Sequence, residues 1–251
     1  MQNGKIQTRE VFKAAVVLIG VLDGQGVILL PTTEIHKPLT KRQLPNSEVW
    51  INTNYFLSLP GGHFDPRTES AHDAAWRELS EETGGCIFTK NLLTPWENTN
   101  LAAECLALDP SVLVPINHQP VVLQINNTWD LAIDKVSYFF FCLQEPRLTA
   151  AKLSFFCRRA RQQLAPQDYR CYQEVEQYLA VPKSQFLSLI LNFANFKAGP
   201  EWFFADTSTT EPFTIFSSTS NNNTYSSAYQ CNKGCFYALG QSYPELQKLL
   251  L

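Results

Sequence analysis

The run Ala15-Val16-Val17-Leu18-Ile19-Gly20-Val21 constrains the fold more than any other stretch of the chain. A strand with one wet face alternates apolar and polar residues. This one does not, so both of its faces must be covered. Asp23-Gly24-Gln25-Gly26 follows, and then Val27-Ile28-Leu29-Leu30. Glycines between two apolar runs are hairpin chemistry, because the tight turns that suit strand twist need positive φ. A hairpin buried on both sides calls for helices above and below a sheet, which is the α/β class. With 45% hydrophobic residues, including 5 Trp, 9 Tyr and 17 Phe, the chain can fill such a core.

Residues 31 to 55 are polar and broken by Pro31, Pro38 and Pro45, and read as an extended connection. Phe56-Leu57-Ser58-Leu59-Pro60 then leads into Gly61-Gly62, and a helix is expected from about Glu69 to Thr83, stopped by Gly84-Gly85. After a proline-dotted stretch (92 to 120) come a strand near Val121 to Gln124 and the apolar run Val136 to Leu143, a central strand. Residues 149 to 164 show helical spacing, Glu174 to Pro182 reads as an edge strand, and a helix follows from about Lys183 to Phe193. Ser, Thr and Asn dominate residues 205 to 230, which read as a long loop or mobile segment before a short helix from Pro244. The expected organisation is one domain over 1–200, enlarged at about 31–55 and 100–135, with a C-terminal extension over 201–251 packed on it.

The chemistry concentrates in Arg77-Glu78-Leu79-Ser80-Glu81-Glu82. At ~100° per residue, Glu82 lies ~40° from Glu78 and Glu81 ~60° on the other side, so three carboxylates share one stripe. Like charges at these spacings cost an isolated helix about 0.2–0.5 kcal/mol per pair, and the helix dipole disfavours anions near the C-terminus. The arrangement is locally unfavourable, and a hard divalent cation with oxygen ligands would remove the penalty. Ala71 and Ala75 keep the same stripe open to close approach, and Gly61-Gly62 can bring backbone near it. The bland alternative is a solvated acidic helix face. Gly61-Gly62 upstream, Arg77 adjacent and Gly84 closing the helix weigh against it.

The segment resembles the Nudix box, G-x5-E-x7-R-E-U-x-E-E-x-G-U with U a bulky aliphatic residue. Gly62, Glu69, Arg77, Glu78, Leu79, Glu81, Glu82 and Gly84 stand at its fixed positions. Two departures occur. Six residues separate Gly62 from Glu69, with Arg67-Thr68 where the family has a single glycine, and Gly85 replaces the closing aliphatic residue. The first implies a bulge ahead of the helix that could displace the Gly61 carbonyl; the second implies a lost packing contact. The resemblance implies an α/β/α sandwich with a mixed β-sheet, enlarged by insertions and the extension. It implies a pyrophosphatase in which Glu78, Glu81, Glu82 and the Gly61 carbonyl ligate Mg²⁺ or Mn²⁺. Gly62, Glu69 and Arg77 would be structural, the last two joined as an ion pair. A further carboxylate completes such sites; Glu174 is the first candidate and Glu176 the second, against the plainer role of keeping an edge strand soluble. His63 and His72 read as a loop residue and a helix residue outside the stripe.

The implied substrate is a nucleoside diphosphate linked to another moiety, first ADP-ribose or a nucleotide sugar, with nucleoside triphosphates and diphosphoinositol phosphates open. Leu39-Thr40-Lys41-Arg42 begins like a coenzyme A pattern, but the spacing after it fails. Trp50, Tyr55, Trp96 and Trp129 offer base-stacking surface without singling out a platform. The alternative function is an inactive Nudix-like module that senses a nucleotide or grips a protein. A formal charge of −3 gives no field for duplex nucleic acid or anionic lipid; Arg158-Arg159-Ala160-Arg161 is a local exception that reads as a solvated helix face rather than a phosphate site. The 7 Cys, odd in number and scattered, fit reduced thiols, and Cys231 to Cys235 lacks a second ligand pair for a metal. Without a visible secretory signal or spanning segment the expected location is cytoplasmic. The resemblance leaves a homodimer open.

Overall fold

The computed structural model describes residues 9–34, 51–89, 94–109, 112–116, 119–127, 132–165, 169–194, 213–220, 223–231 and 233–251. Strands β1 (Arg9–Leu22) and β2 (Gln25–Glu34) form the expected hairpin, with Leu22 opposite Gln25. Asp23 and Gly24 in its turn have φ of 50° and 77°, the conformation that matches strand twist. β1 serves two cores. Ala14, Val16 and Leu18 enter one cluster of buried residues while Ala15, Val17 and Ile19 enter the other. That division explains a strand without polar alternation.

β3 (Ile51–Leu57) pairs with the far end of β2, and β4 (Gly61–Phe64) pairs with the first half of β1. The three residues between them therefore cross from one hairpin strand to the other. Ser58 N–H donates to the Pro31 carbonyl at 3.0 Å, and Val16 N–H donates to the Pro60 carbonyl at 2.8 Å. This crossing sets Gly61-Gly62 in the fork where β1 and β2 part. Helix α1 (Ala71–Glu82) follows, then a short parallel pair of β5 (Ile87–Phe88) and β6 (Leu106–Ala107). β7 (Leu113–Pro115) and β8 (Val121–Asn127) both run antiparallel to β9 (Ala132–Leu143), which lies parallel to β1.

The remaining elements are α2 (Ala150–Gln163), β10 (Val175–Pro182), α3 (Lys183–Ala194), β11 (Phe213–Ser220), β12 (Asn223–Cys231), α4 (Lys233–Gln241) and α5 (Tyr243–Leu250). The strand order is β11-β12-β3-β2-β1-β9-β7, with β10 on β2, β4 on β1 and β8 on β9. Ala74, Ala75 and Leu79 of α1 pack with Leu153, Phe156 and Ala160 of α2 on one face. Phe186, Ile190 and Phe193 of α3 pack with Phe236 of α4 and Leu246 and Leu250 of α5 on the other. The fold is an α/β/α sandwich around a mixed sheet.

Residues 213–220 and 223–231 differ from the expected loop: they pair as β11 and β12, and β12 joins β3 in parallel. Ser and Asn signalled a turn there, but Phe213, Ile215, Phe216, Thr224, Tyr225 and Tyr229 are the β-branched and aromatic types that favour strands. The terminal helical region begins at Lys233, earlier than the expected Pro244. Residues 31–34 continue β2 and 51–57 make β3; Leu39 to Arg42, Trp50 and Trp129 lie outside the described residues. Cys86, Cys105, Cys142, Cys157 and Cys171 are free thiols. Among the described residues no helix is long and apolar enough to cross a membrane.

Candidate active site

The loop between β4 and α1 absorbs the extra residue in a closed turn. Thr68 and Glu69 N–H groups both donate to the Asp65 carbonyl at 3.0 Å, and Arg67 N–H donates to Asp65 Oδ1 at 3.0 Å. The strand before the turn keeps its place, with Ala15 opposite Gly61 and Ala14 opposite Gly62. The insertion is taken up downstream of the glycines, so the expected disturbance of Gly61 does not arise. Ser70 caps α1 by accepting from Asp73 N–H at 3.1 Å, while its own hydroxyl donates to the Asp73 carboxylate at 2.7 Å.

At the other end of α1, Gly84 and Gly85 have φ of 64° and 73°. A Cβ on Gly84 would lie 2.7 Å from the Phe156 carbonyl carbon and 2.8 Å from the Cys157 nitrogen, and one on Gly85 would lie 2.5 Å from Pro95 Cδ. Trp96 Nε1–H donates to the Gly84 carbonyl at 2.7 Å, and the Thr94 hydroxyl to the Gly85 carbonyl at 2.9 Å. The contact expected to be lost at Gly85 is replaced by buried Trp96, which places that ring in the core rather than at a base-stacking surface. Gly84→Ala combines left-handed strain with a backbone clash, and is expected to cost about 3 kcal/mol or more. Denaturant unfolding measures it; a loss below about 1 kcal/mol, the span of helix propensity alone, contradicts the close approach of α1 and α2.

The stripe is buried at Glu82 and half-buried at Glu78 and Glu81. Glu78 and Glu81 side chains are 14% and 17% exposed and Glu82 is 6% exposed. Gly61 N–H donates to Glu82 Oε1 at 3.3 Å, whereas Glu82 Oε2 is buried with no hydrogen-bond partner. Gly62 lies so close to Glu78 that a Cβ there would come within 2.2 Å of Glu78 Oε1. Desolvation raises all three carboxyls above the usual range; for Glu82, raised furthest, the Glu78 charge is the next cause. Glu174 is exposed at the end of a turn, Arg170–Gln173, and its charge adds to the rise at Glu78, Glu81 and Glu82.

Arg77 offsets part of this. Nε and Nη2 donate to the two Glu69 oxygens at 3.0 and 3.1 Å, Nη1 donates to Glu78 at 2.7 Å and Glu81 at 3.4 Å, and Nη2 also donates to the His63 carbonyl at 3.2 Å. The Glu69 hydrogen bonds raise the Arg77 pKa further above its already high ordinary value. With Glu78 and Glu81 turned to Arg77, no three His, Cys, Asp or Glu side chains among the described residues are grouped so as to hold a metal as they stand.

Gly61, Gly62, Glu69, Arg77, Glu78, Glu81 and Glu82 thus come together, and the Glu174 charge acts on the three carboxyls of the stripe. Glu176 does not join them: it lies at a register shift between Val175 and Gln177, and the charges acting on it are those of Arg161 and Arg158. His72 packs edge-on against Trp76 and Phe139, away from the stripe. Burial, then Lys13, holds the His63 imidazolium below its ordinary pKa. Two neighbours escaped the sequence reading. The Cys171 thiol hydrogen-bonds Glu81, and the Tyr178 hydroxyl is buried without a partner where the Glu82 charge reaches it. Nothing in residue type or spacing marks either, because both come from segments about 90 positions after the box.

The family model for the NUDIX domain matches residues 11–148, more than half of the chain. The chain belongs to the Nudix family. That family generally uses a divalent metal. This Nudix chain is similar in structure to a C. elegans Ap4A hydrolase in a binary complex, with 17% identity and a TM-score of 0.37 over 71% of this chain and 84% of that one. A NUDIX hydrolase from Nitrosomonas europaea gives 14% and 0.36 over 72% and 77%. The NUDIX domain of Shewanella oneidensis NrtR complexed with ADP ribose gives 12% and 0.32 over 74% and 82%. No curated protein matches the chain in sequence.

Proposed function

We propose that the protein hydrolyses a phosphoanhydride bond in a nucleoside diphosphate linked to another moiety, with ADP-ribose or a nucleotide sugar as the first substrates to test and Mg²⁺ or Mn²⁺ as the metal. The observation that carries this reading is the buried, unpartnered Glu82 Oε2 beside two further desolvated carboxylates. A buried charge persists only when paired or bound to metal. The donors present fit a hard divalent cation: Glu78, Glu81 and Glu82, with the Gly61 carbonyl as an additional oxygen. Such a cation, when bound, neutralises diphosphate oxygens and lowers the pKa of water. The chain's own residues do the rest. Arg77 and Glu69 lock the Gly62–Phe64 strand to α1, and Glu174, exposed beside the trio, is the carboxylate free to accept a proton from water during in-line attack.

A second reading, a nucleotide sensor without turnover, draws on Arg77 holding Glu78 and Glu81 away from a common point. A panel of ADP-ribose, nucleotide sugars, dinucleoside polyphosphates and nucleoside triphosphates, each with Mg²⁺ or Mn²⁺, separates the two. Turnover of at least one member is expected. Nucleotide binding with no turnover of any member is the outcome that replaces the hydrolase with the sensor.

The same carboxylates fix a pH dependence. A carboxyl raised in the fold contributes stability below its ordinary pKa of 4.5, and that contribution is lost as pH rises through the raised values. His63, held below 6.5, works in the opposite sense, so melting is compared with and without Mg²⁺ at each pH. The Mg²⁺-dependent gain is expected to grow from pH 5 to pH 8. At 100-fold excess over the dissociation constant it reaches about 2.7 kcal/mol. A gain that does not change with pH removes the carboxylates as the ligands.

A further inference from the structure

We propose that the groove between the start of β1 and the loop after β4 is the subsite for the nucleobase of the substrate, an inference that rests on the pyrophosphatase reading of the adjoining carboxylates. The groove has a volume of about 460 Å³, inside the ~300–1,000 Å³ usual for small-ligand pockets. Val11, Phe12, Phe64 and Pro66 line it, with Phe12 and Phe64 side by side as cross-strand partners of β1 and β4. The Phe12 and Phe64 ring centroids are 6.0 Å apart with planes inclined at 58°. Lys135 Nζ sits 5.4 Å from the centroid of the Phe12 ring and pairs with Glu10 at 2.6 Å, which steadies the ring.

The groove and the carboxylates share one strand. Gly62 abuts Glu78, the His63 carbonyl accepts from Arg77, and Phe64 is groove wall. Gly62 and Phe64 are about 7 Å apart along a strand, an interval of the size of a ribose. A nucleotide has a matching polarity: a planar, largely apolar base at one end and charged phosphates at the other. The loop that carries the extra residue supplies the rim, through Asp65 and Arg67.

The aromatic and apolar lining of the groove argues for a base rather than a sugar. Lys13 is paired with Asp134 at 2.7 Å, Lys135 with Glu10 at 2.6 Å and Arg67 with Asp65 at 2.7 Å. Each of these three cations is paired with its own carboxylate, and Arg9, whose charge reaches His63, is a further cation at the groove. What the walls present is aromatic and apolar surface edged by hydrogen-bonding groups. Stacking on such surface suits any nucleobase and leaves a polyol unsatisfied.

The test uses 8-azidoadenosine 5′-monophosphate as a photoprobe on the full chain without metal, with the labelled peptide mapped by mass spectrometry. Label is expected within residues 9–12 or 63–67. Label confined to other segments, or none at millimolar probe, overturns the assignment. In parallel, Phe12→Leu keeps the position apolar while removing the stacking face, and is expected to raise KM for a turned-over nucleotide about tenfold with a much smaller change in kcat. An unchanged KM also overturns it. The two readings fail separately. Photolabelling needs no turnover and reports the groove even if the protein hydrolyses nothing, whereas turnover lost in Glu82→Gln with label elsewhere keeps the enzyme and discards the groove.

Discussion

Glu82→Gln is expected to lower kcat by about 10²–10³-fold, the scale of losing one preorganised electrostatic contact, while raising the melting temperature of the metal-free protein. Both effects follow from one geometry. Glu82 is 6% exposed, its Oε1 accepts from Gly61 N–H, and its Oε2 has no partner. In the metal-free fold the charge is opposed by burial and by Glu78, Glu174 and Glu81. A neutral amide can keep the Gly61 hydrogen bond and removes that repulsion. A gain of about 1 kcal/mol corresponds to about 2–4 °C in a chain of this size. Stability gained and activity lost together is the pattern of a site strained for function. Steady-state turnover and thermal unfolding on the same preparation check the pair of effects. A variant with undiminished kcat removes Glu82 from the site, and one that melts lower shows that its charge is already compensated.

How much of this was legible in the sequence depended on how local the cause was. The hairpin was legible because Asp23-Gly24 and the apolar run around it act within a few residues, and the observed φ values follow. The acidic stripe was legible because helical spacing alone converges Glu78, Glu81 and Glu82. The fork that brings Gly61 to Glu82 was not. It depends on β4 pairing with one hairpin strand and β3 with the other, which no window of sequence contains. The same limit separates Glu174 from Glu176. Glu174 ends the turn before β10 and Glu176 lies at a register shift within it, so two acids two residues apart meet different charges. At residues 213–231 the difficulty was of another kind: composition rich in Ser and Asn outweighed interleaved Thr, Tyr, Ile and Phe whose strand preference is realised by pairing with β3.

Arg77→Ala is expected to destabilise the metal-free protein by about 3 kcal/mol, the lower end of the cost of removing one partner from a buried ion pair. The loss is larger than for an exposed pair because this guanidinium is tied to several groups at once. It holds both Glu69 oxygens, Glu78, Glu81 and the His63 carbonyl, with only 27% of its side chain exposed. Without it, Glu78 and Glu81 remain desolvated beside Glu82, with no cation to offset them. The His63 carbonyl also loses its donor, which loosens the strand that carries Gly61 and Gly62 past α1. Saturating Mg²⁺ is expected to recover a larger share of stability in the variant than in the parent, because the cation then supplies positive charge that the guanidinium no longer does. Urea unfolding of both proteins, with and without Mg²⁺, gives the four values needed. Equal recovery in parent and variant would mean that Arg77 and the metal do not act on the same carboxylates, and a loss below about 1 kcal/mol would reduce the network to an ordinary surface contact.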